Sequence, residues 1–432
     1  MITYFVRFFD NLSRTNISQI SINMHNKRQF IMIKGRNIVI VGLQPWDIPI
    51  GSNCKNIAIE LSRHNKVLYV NAPLDRSTYL KAKGDSSVKK RVRIIKGKES
   101  GLVQVNANLW NLYPEVLAES INWIGSSRIF KMLNKVNNHR LADNILKAMK
   151  LLNFDDIILF NDQSMVRCYH FKEFLKPSSF IYYIRDNLST IEYFQRHALK
   201  MEEELISEAD VVATNSEFLA EYARKFNPNA KFVGQGCDFT LYPESSTIQV
   251  SEEILHLPRP TIGYTGFLTN LRLDIKLLED IASAKPEWQF VFVGPEDESF
   301  KKSNLHDLSN VHFLGNKTPE SLPGFINGFD VAINPQLINE VTMGNYPRKI
   351  DEYLALGKPT VATATPFMEY FKDYTYLANG KEQWIEAISK ALLEDSGDLQ
   401  KRRREFALSH SWTNNVEAIS NLIESAQKIN YH

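Results

Sequence analysis

Short, almost wholly apolar runs recur along this chain, each followed by a loop and a stretch with helical spacing, and no other feature restricts the fold as much. A strand that is apolar at successive positions is buried on both faces, which is the situation of parallel strands flanked by helices. Strand and helix in alternation build such a sheet. The series runs twice, through residues 37–42, 66–71, 156–160, 179–184, 211–214 and 231–233, and again through 261–264, 289–293, 311–313, 331–334 and 359–363. Between them, residues 243–260 are rich in Ser, Glu and Pro and read as a connector. With 432 residues the chain exceeds what one core organises. The expectation is an α/β protein of two doubly wound domains, 36–243 and 261–408, joined by a linker at 244–260. A helix at 412–426 comes too late to belong naturally to the second sheet, so 409–432 stands apart as a crossing segment.

Charge is distributed unevenly. The net charge is +2, yet residues 1–100 hold 18 Lys and Arg against 6 Asp and Glu, leaving 33 against 43 for the rest. A basic first quarter suits anionic lipid or a phosphate-bearing acceptor, while the Gly- and Ser-containing stretch 81–98 can equally be a solvated basic loop. Residues 1–14 place Ile2, Phe5, Val6, Phe9 and Leu12 at helical spacing opposite Arg7, Asp10, Asn11 and Arg14, an amphipathic pattern that could lie in a membrane interface or dock on the first domain. We treat residues 1–35 as an amphipathic extension, with Met32 an alternative start. Cys54, Cys168 and Cys237 lie far apart without CxxC spacing, which argues against a disulfide framework and fits a reducing cytoplasm. No apolar run approaches the roughly 20 residues of a membrane-spanning helix. The chain is therefore expected to be cytoplasmic, with peripheral contact at the inner face of the cytoplasmic membrane and no nucleic-acid partner.

In doubly wound sheets ligands bind at the carboxyl ends of the strands. The segment 345–363, NYPRKIDEYLALGKPTVAT, combines a turn, a helix that Pro347 can start, and a strand. A helix N-terminus favours phosphate, and Gly344 would allow close approach. Lys349 and Glu352 share one face of that helix, so a cation can meet a pyrophosphate while a carboxylate accepts from a ribose diol. The same pair, taken alone, is an ordinary surface ion pair.

This segment resembles the nucleotide-sugar signature of GT-B glycosyltransferases in the form PxKxxEYLAxGKPVVAT, matched by Pro347, Lys349, Glu352, Tyr353, Leu354, Ala355, Gly357, Lys358 and Pro359. TIGYTG at 261–266, FVGP at 292–295, NVHFLG at 310–315, Leu322-Pro323 and FDVAINP at 329–335 extend the likeness over the C-terminal half. It is similar to transferases that assemble teichuronic acid and other surface polysaccharides. The resemblance implies the GT-B fold, two Rossmann-like domains facing a cleft with the C-terminal helix crossing back to the first. It implies a nucleoside diphosphate sugar donor, often UDP-linked, and a glycan or lipid-linked acceptor. Glu352 would hold the ribose; Lys349, with Arg348 second, would meet the diphosphate; the turn from Gly266 would approach phosphate or sugar; Gly315 and Asn316 would receive the uracil. Arg272 and Asp274 are further candidates that could also merely decorate or cap the next helix. Trp412, after His410 and Ser411, would anchor the hinge.

Many retaining members carry a second glutamate eight positions before the ribose-binding one, where this chain has Gly344, with Glu340 four residues away. Retention or inversion is therefore left open. An inverting enzyme needs a general base, and three carboxylates of the first domain are candidates: Asp186 and Asp162 at strand ends and Asp47 in the first long loop. Each could also be a cap or a solvated loop residue. Arg185 could bind an anionic acceptor or pair with Asp186, and Gly51 occupies the place of an acceptor loop. Neither GxGxxG in the first loop nor GxxxxGK[ST] is present, which disfavours a nicotinamide reductase or a P-loop nucleotidase. Without a His/Asp cluster or an isolated DxD, no cofactor is expected, and helix dipole and cations should stabilise the leaving diphosphate without metal. Two rivals remain, a nucleotide-sugar epimerase of the same fold and a catalytically inactive binding module.

Overall fold

The computed structural model describes residues 32–47, 52–82, 84–188, 196–339, 342 and 346–429. The amphipathic pattern at 1–14, Gly51, Glu340 and Gly344 lie outside the described residues. The first half holds β1 (Asn37–Val41), β2 (Lys66–Val70), β3 (Leu74–Asp75), β4 (Leu102–Asn106), β5 (Leu109–Leu112), β6 (Leu117–Ala118), β7 (Ile157–Asp162), β8 (Ser179–Ile184), β9 (Val211–Thr214) and β10 (Ala230–Phe232). Eight of them form one sheet in the order β10-β9-β8-β7-β1-β2-β5-β4, parallel except for β4, while β3 and β6 pair separately. The second half holds β11 (Thr261–Thr265), β12 (Gln289–Val293), β13 (Val311–Phe313), β14 (Val331–Asn334), β15 (Thr360–Thr363) and β16 (Tyr376–Ala378), all parallel in the order β13-β12-β11-β14-β15-β16.

The burial of β1 illustrates why these runs form a doubly covered sheet. Successive side chains point to opposite faces. Val39 and Val41 join a core covered by the helix Ser127–Leu152, and Ile38 and Ile40 join a second core on the other face. That second face is closed by the helix Asn53–Leu61 and by the last helix, Trp412–Ile429, whose Val416, Ile419, Ile423 and Ala426 recur at helical spacing and are buried there. The C-terminal helix thus crosses back to the first sheet because its apolar stripe completes that core. Two strand series with this crossing give the doubly wound, GT-B arrangement that the sequence leads one to expect.

Two differences from the sequence expectation have local causes. The stretch 81–98 is not simply a loop: it contains the helix Ser86–Ile95, started by Asp85, whose carboxylate accepts from the N–H groups of Ser87 and Val88. The antiparallel hairpin β4–β5 escapes the apolar pattern because LVQVN lies at the sheet edge and is mostly exposed. Pro347 stands at the start of the helix Arg348–Ala355, as its cap, where the sequence places it.

Candidate active site

In each sheet the strand order reverses at one point, between β1 and β7 in the first and between β11 and β14 in the second. Ligands of open α/β sheets sit outside the carboxyl ends at such points. β11 is followed by Gly266, whose φ of +130° is open only to glycine. Its neighbour Gly294, after β12, packs so closely that a Cβ there would lie 2.0 Å from the Gly266 carbonyl oxygen. The following turn is pinned by Gly266 N–H to Val293 O, Leu268 N–H to Pro295 O and Asn270 N–H to Asp297 Oδ2, at 2.8 Å each.

The helix Arg348–Ala355 runs beside this turn. Ile350, Tyr353, Leu354 and Ala355 bury one face, and the Tyr353 hydroxyl accepts from Thr265 N–H at 2.9 Å, which fixes the helix to the end of β11. No side chain caps the helix start. Lys349 reaches Tyr264, donating to its hydroxyl at 2.7 Å with Nζ 4.5 Å from the ring centroid, and a Cβ on Gly266 would meet Nζ at 3.3 Å. Burial holds this ammonium below the ordinary lysine value, and the cations Arg272 and Arg348 add to that effect. Glu352 does not pair with Lys349. Its partner is Arg348, one turn earlier, at 3.3 Å, and the Tyr242 hydroxyl lies near it. Burial raises the Glu352 carboxyl above its ordinary value, opposed by Arg348 and Lys349. A carboxylate, an ammonium and a glycine turn therefore converge at one edge of the second sheet.

The other residues expected on the donor side are placed less tellingly. Gly315 follows β13 with φ +68°, and Asn316 beside it is exposed. Asp274 caps the helix Ile275–Ala284 by accepting from Leu277 N–H at 3.0 Å, the structural alternative weighed for it, while Arg272 is exposed. Gly344 lies outside the described residues, as does Gly51, expected on the acceptor side.

At the carboxyl end of the first sheet the three candidate carboxylates differ. Asp162, ending β7, is fully buried: Oδ2 accepts from Leu43 N–H at 3.0 Å and Oδ1 lies 3.1 Å from Arg185 Nε. Asp47 is held by Arg91 through two contacts of 3.2 and 3.1 Å, an ion pair that occupies both oxygens. Asp186 keeps 45% of its side chain exposed and lies 3.8 Å from Arg185, so of the three it has the most freedom to meet a ligand. Arg185 is paired to Asp162 and Asp186 and does not stand free for an anion.

Sequence reasoning missed the clamp beneath them. Gln163 Oε1 accepts from the N–H groups of Arg185 and Asp186 at 3.2 and 3.1 Å, and its Nε2 donates to Asp186 O at 2.7 Å and Glu202 Oε1 at 3.1 Å. Glu202 also accepts from Tyr182 at 3.1 Å, and burial pushes its carboxyl up to about 7. A carboxylate on the apolar stripe Ala198, Met201, Leu205 and Ile206 was the available signal. Among the described residues no group of three His, Cys, Asp or Glu is placed to hold a metal ion.

Comparison with known proteins bears on both halves. Residues 259–395 match the family Glycosyl transferases group 1. The chain is 29% identical over 248 residues to TuaH of Bacillus subtilis strain 168, a protein assigned by name to teichuronic acid biosynthesis as a glycosyltransferase. The match takes in 53% of this chain and spans 60% of the length of that relative. Among solved structures, sucrose-phosphate synthase from Thermosynechococcus elongatus aligns over 92% of this chain and 100% of its own at 12% identity, with a TM-score of 0.62. Anabaena Alr3699/HepE, solved in complex with UDP, aligns over 92% and 98% at 14% identity, with a TM-score of 0.55. At such identities these two likenesses establish the fold.

Proposed function

We propose that this chain, whose residues 259–395 match the family Glycosyl transferases group 1, moves a sugar from a UDP-linked donor to a glycan or lipid-linked acceptor in the biosynthesis of a surface polysaccharide. Support for the pathway comes from the relative named for teichuronic acid biosynthesis, and support for the nucleotide from the GT-B neighbour solved with UDP. One observation carries the donor half: Lys349 and Glu352 sit on one short helix at the carboxyl edge of the second sheet, beside the Gly266 turn.

In this reading Glu352 accepts from the ribose hydroxyls, and Lys349 and the helix start face the diphosphate. As the bond between the anomeric carbon and the phosphate oxygen breaks, its electron pair leaves on UDP. Lys349, Arg348 and Arg272 offset the charge that develops there, so no cofactor or metal is invoked. Gly315 and Asn316 would receive the base. An acceptor hydroxyl attacks from the first domain, with Asp186 the carboxylate best placed to take its proton.

The location proposed is the cytoplasm, in peripheral contact with an anionic membrane. Among the described residues no helix is long and apolar enough to cross one. Lys81, Lys89, Arg93, Lys96 and Lys98 are exposed on the first half, and Trp123 is 76% exposed. That combination suits an anionic lipid surface.

Calorimetric titration with UDP tests the donor half. Wild type should bind, and Glu352→Ala should bind at least about tenfold more weakly, the effect of losing a hydrogen bond to a charged group. Equal binding by the two proteins would refute the assignment.

A further inference from the structure

The helix that carries Lys349 and Glu352 also buries a third charged side chain, and this one is enclosed by protein on every side. Asp351 is completely enclosed, on the face where Ile350, Tyr353 and Leu354 are also buried. A carboxylate in such a place is costly unless its oxygens are hydrogen-bonded. Here Oδ1 accepts from His410 Nδ1 at 2.7 Å, and Oδ2 accepts from the Tyr346 hydroxyl at 2.6 Å and Cys237 Sγ at 3.3 Å.

The origins of these donors matter. Cys237 lies where the chain leaves the first sheet, and His410 lies where it returns toward that sheet before the helix Trp412–Ile429. The two passages are tied to one another, with Cys237 N–H donating to His410 O at 2.7 Å. Gly236 lets them close up, since a Cβ there would meet the Trp412 ring at 2.1 Å. His410 is held on its other side by Tyr370, whose hydroxyl is 2.8 Å from Nε2, and packs edge-on against Phe406 with ring centroids 4.6 Å apart. Arg404 adds a further tie by donating to Tyr242 O, Pro243 O and Ala355 O, so the far end of the same helix is also fastened to the outgoing passage.

We propose that Asp351 is a positioning residue for the donor site: by gathering His410, Cys237 and Tyr346 it fixes the helix bearing Lys349 and Glu352 to both chain passages between the domains. Movement of one domain relative to the other is then transmitted to the groups that hold the nucleotide. This rests on the donor assignment above and deepens it. Asp351 itself touches no substrate.

The test uses the full chain, UDP as the probe, and calorimetry alongside thermal midpoints for His410→Phe, His410→Asn, Asp351→Asn and Glu352→Ala. His410→Phe keeps an aromatic ring but removes the donor to Asp351, and should weaken UDP binding about tenfold, equivalent to about 1.4 kcal/mol. Asp351→Asn should do the same. His410→Asn places an amide N–H where Nδ1 stands and should recover most of the affinity, which a general loss of packing would not allow. The idea is overturned if folded His410→Phe and Asp351→Asn melt lower yet bind UDP like wild type, or if His410→Asn binds as poorly as His410→Phe. Should Asp351→Asn fail to fold, the His410 pair decides alone. If Glu352→Ala alone loses UDP, the donor site stands and the positioning role falls; if Glu352→Ala binds normally, both fall.

Discussion

Glu202 is the residue at which this structure makes its clearest statement about pH. Its carboxyl titrates at about 7 in the folded chain against an ordinary 4.5, because burial disfavours the charged form. The native state therefore holds this proton more tightly than the unfolded chain. The stabilising contribution is complete below about pH 4.5 and declines as the pH rises to about 7, by on the order of 3 kcal/mol. Glu202→Gln keeps hydrogen-bonding atoms for Tyr182 and Gln163 without the charge. Its thermal midpoint should be higher than that of wild type at pH 8 and nearly equal at pH 4.5; the same difference at both values would show that Glu202 is ionised throughout. The consequence reaches Asp186, since Gln163 joins Glu202 to the backbone at Arg185 and Asp186. The carboxylate on an apolar stripe was a local signal, but its partner was not legible, because Gln163 and Glu202 are 39 residues apart and meet only through the sheet.

At the scale of elements, the strands were readable and the exceptions instructive. Runs such as 37–41 announce themselves because both faces are buried, whereas β4 alternates with polar residues at an exposed edge and gives no such run. The helix Ser86–Ile95 had a signal in Asp85, an acidic cap before an amphipathic stretch, that the density of Lys and Arg obscured. The signature segment located the helix Arg348–Ala355, but it could not reveal that Glu352 pairs with Arg348 while Lys349 turns to Tyr264, 85 residues earlier. The junction of β11 and β12 supplies a sharp test. Gly294→Ala would put a methyl 2.0 Å from the Gly266 carbonyl at a backbone φ of +151°. Overpacking and strain together should cost about 3 kcal/mol and displace the turn from the proposed nucleotide site. A lower thermal midpoint with weaker UDP binding is expected; an unchanged midpoint would mean that the two glycines do not need their close approach.

At the scale of the whole molecule, the last helix makes the two halves interdependent, since its apolar stripe closes the first sheet while His410 and Arg404, just before it, fasten the helix Arg348–Ala355. The basic surface of the first half has its own consequence. Reversing three exposed cations, in Lys89→Glu/Arg93→Glu/Lys96→Glu, should weaken binding to phosphatidylglycerol-containing vesicles at least about tenfold, at roughly 1 kcal/mol for each cation near an anionic surface. Unchanged binding in a vesicle flotation assay would remove those residues from the membrane contact. The account as a whole turns on transfer itself. Purified full-length protein should be incubated with UDP-sugars and lipid-linked glycan acceptors while UDP release and acceptor mass are followed together. The account predicts UDP release that depends on acceptor, with the acceptor gaining one glycosyl unit and Asp186→Asn binding UDP without completing the transfer. Conversion of the donor to an epimer, or UDP binding with no turnover on any acceptor, would contradict it.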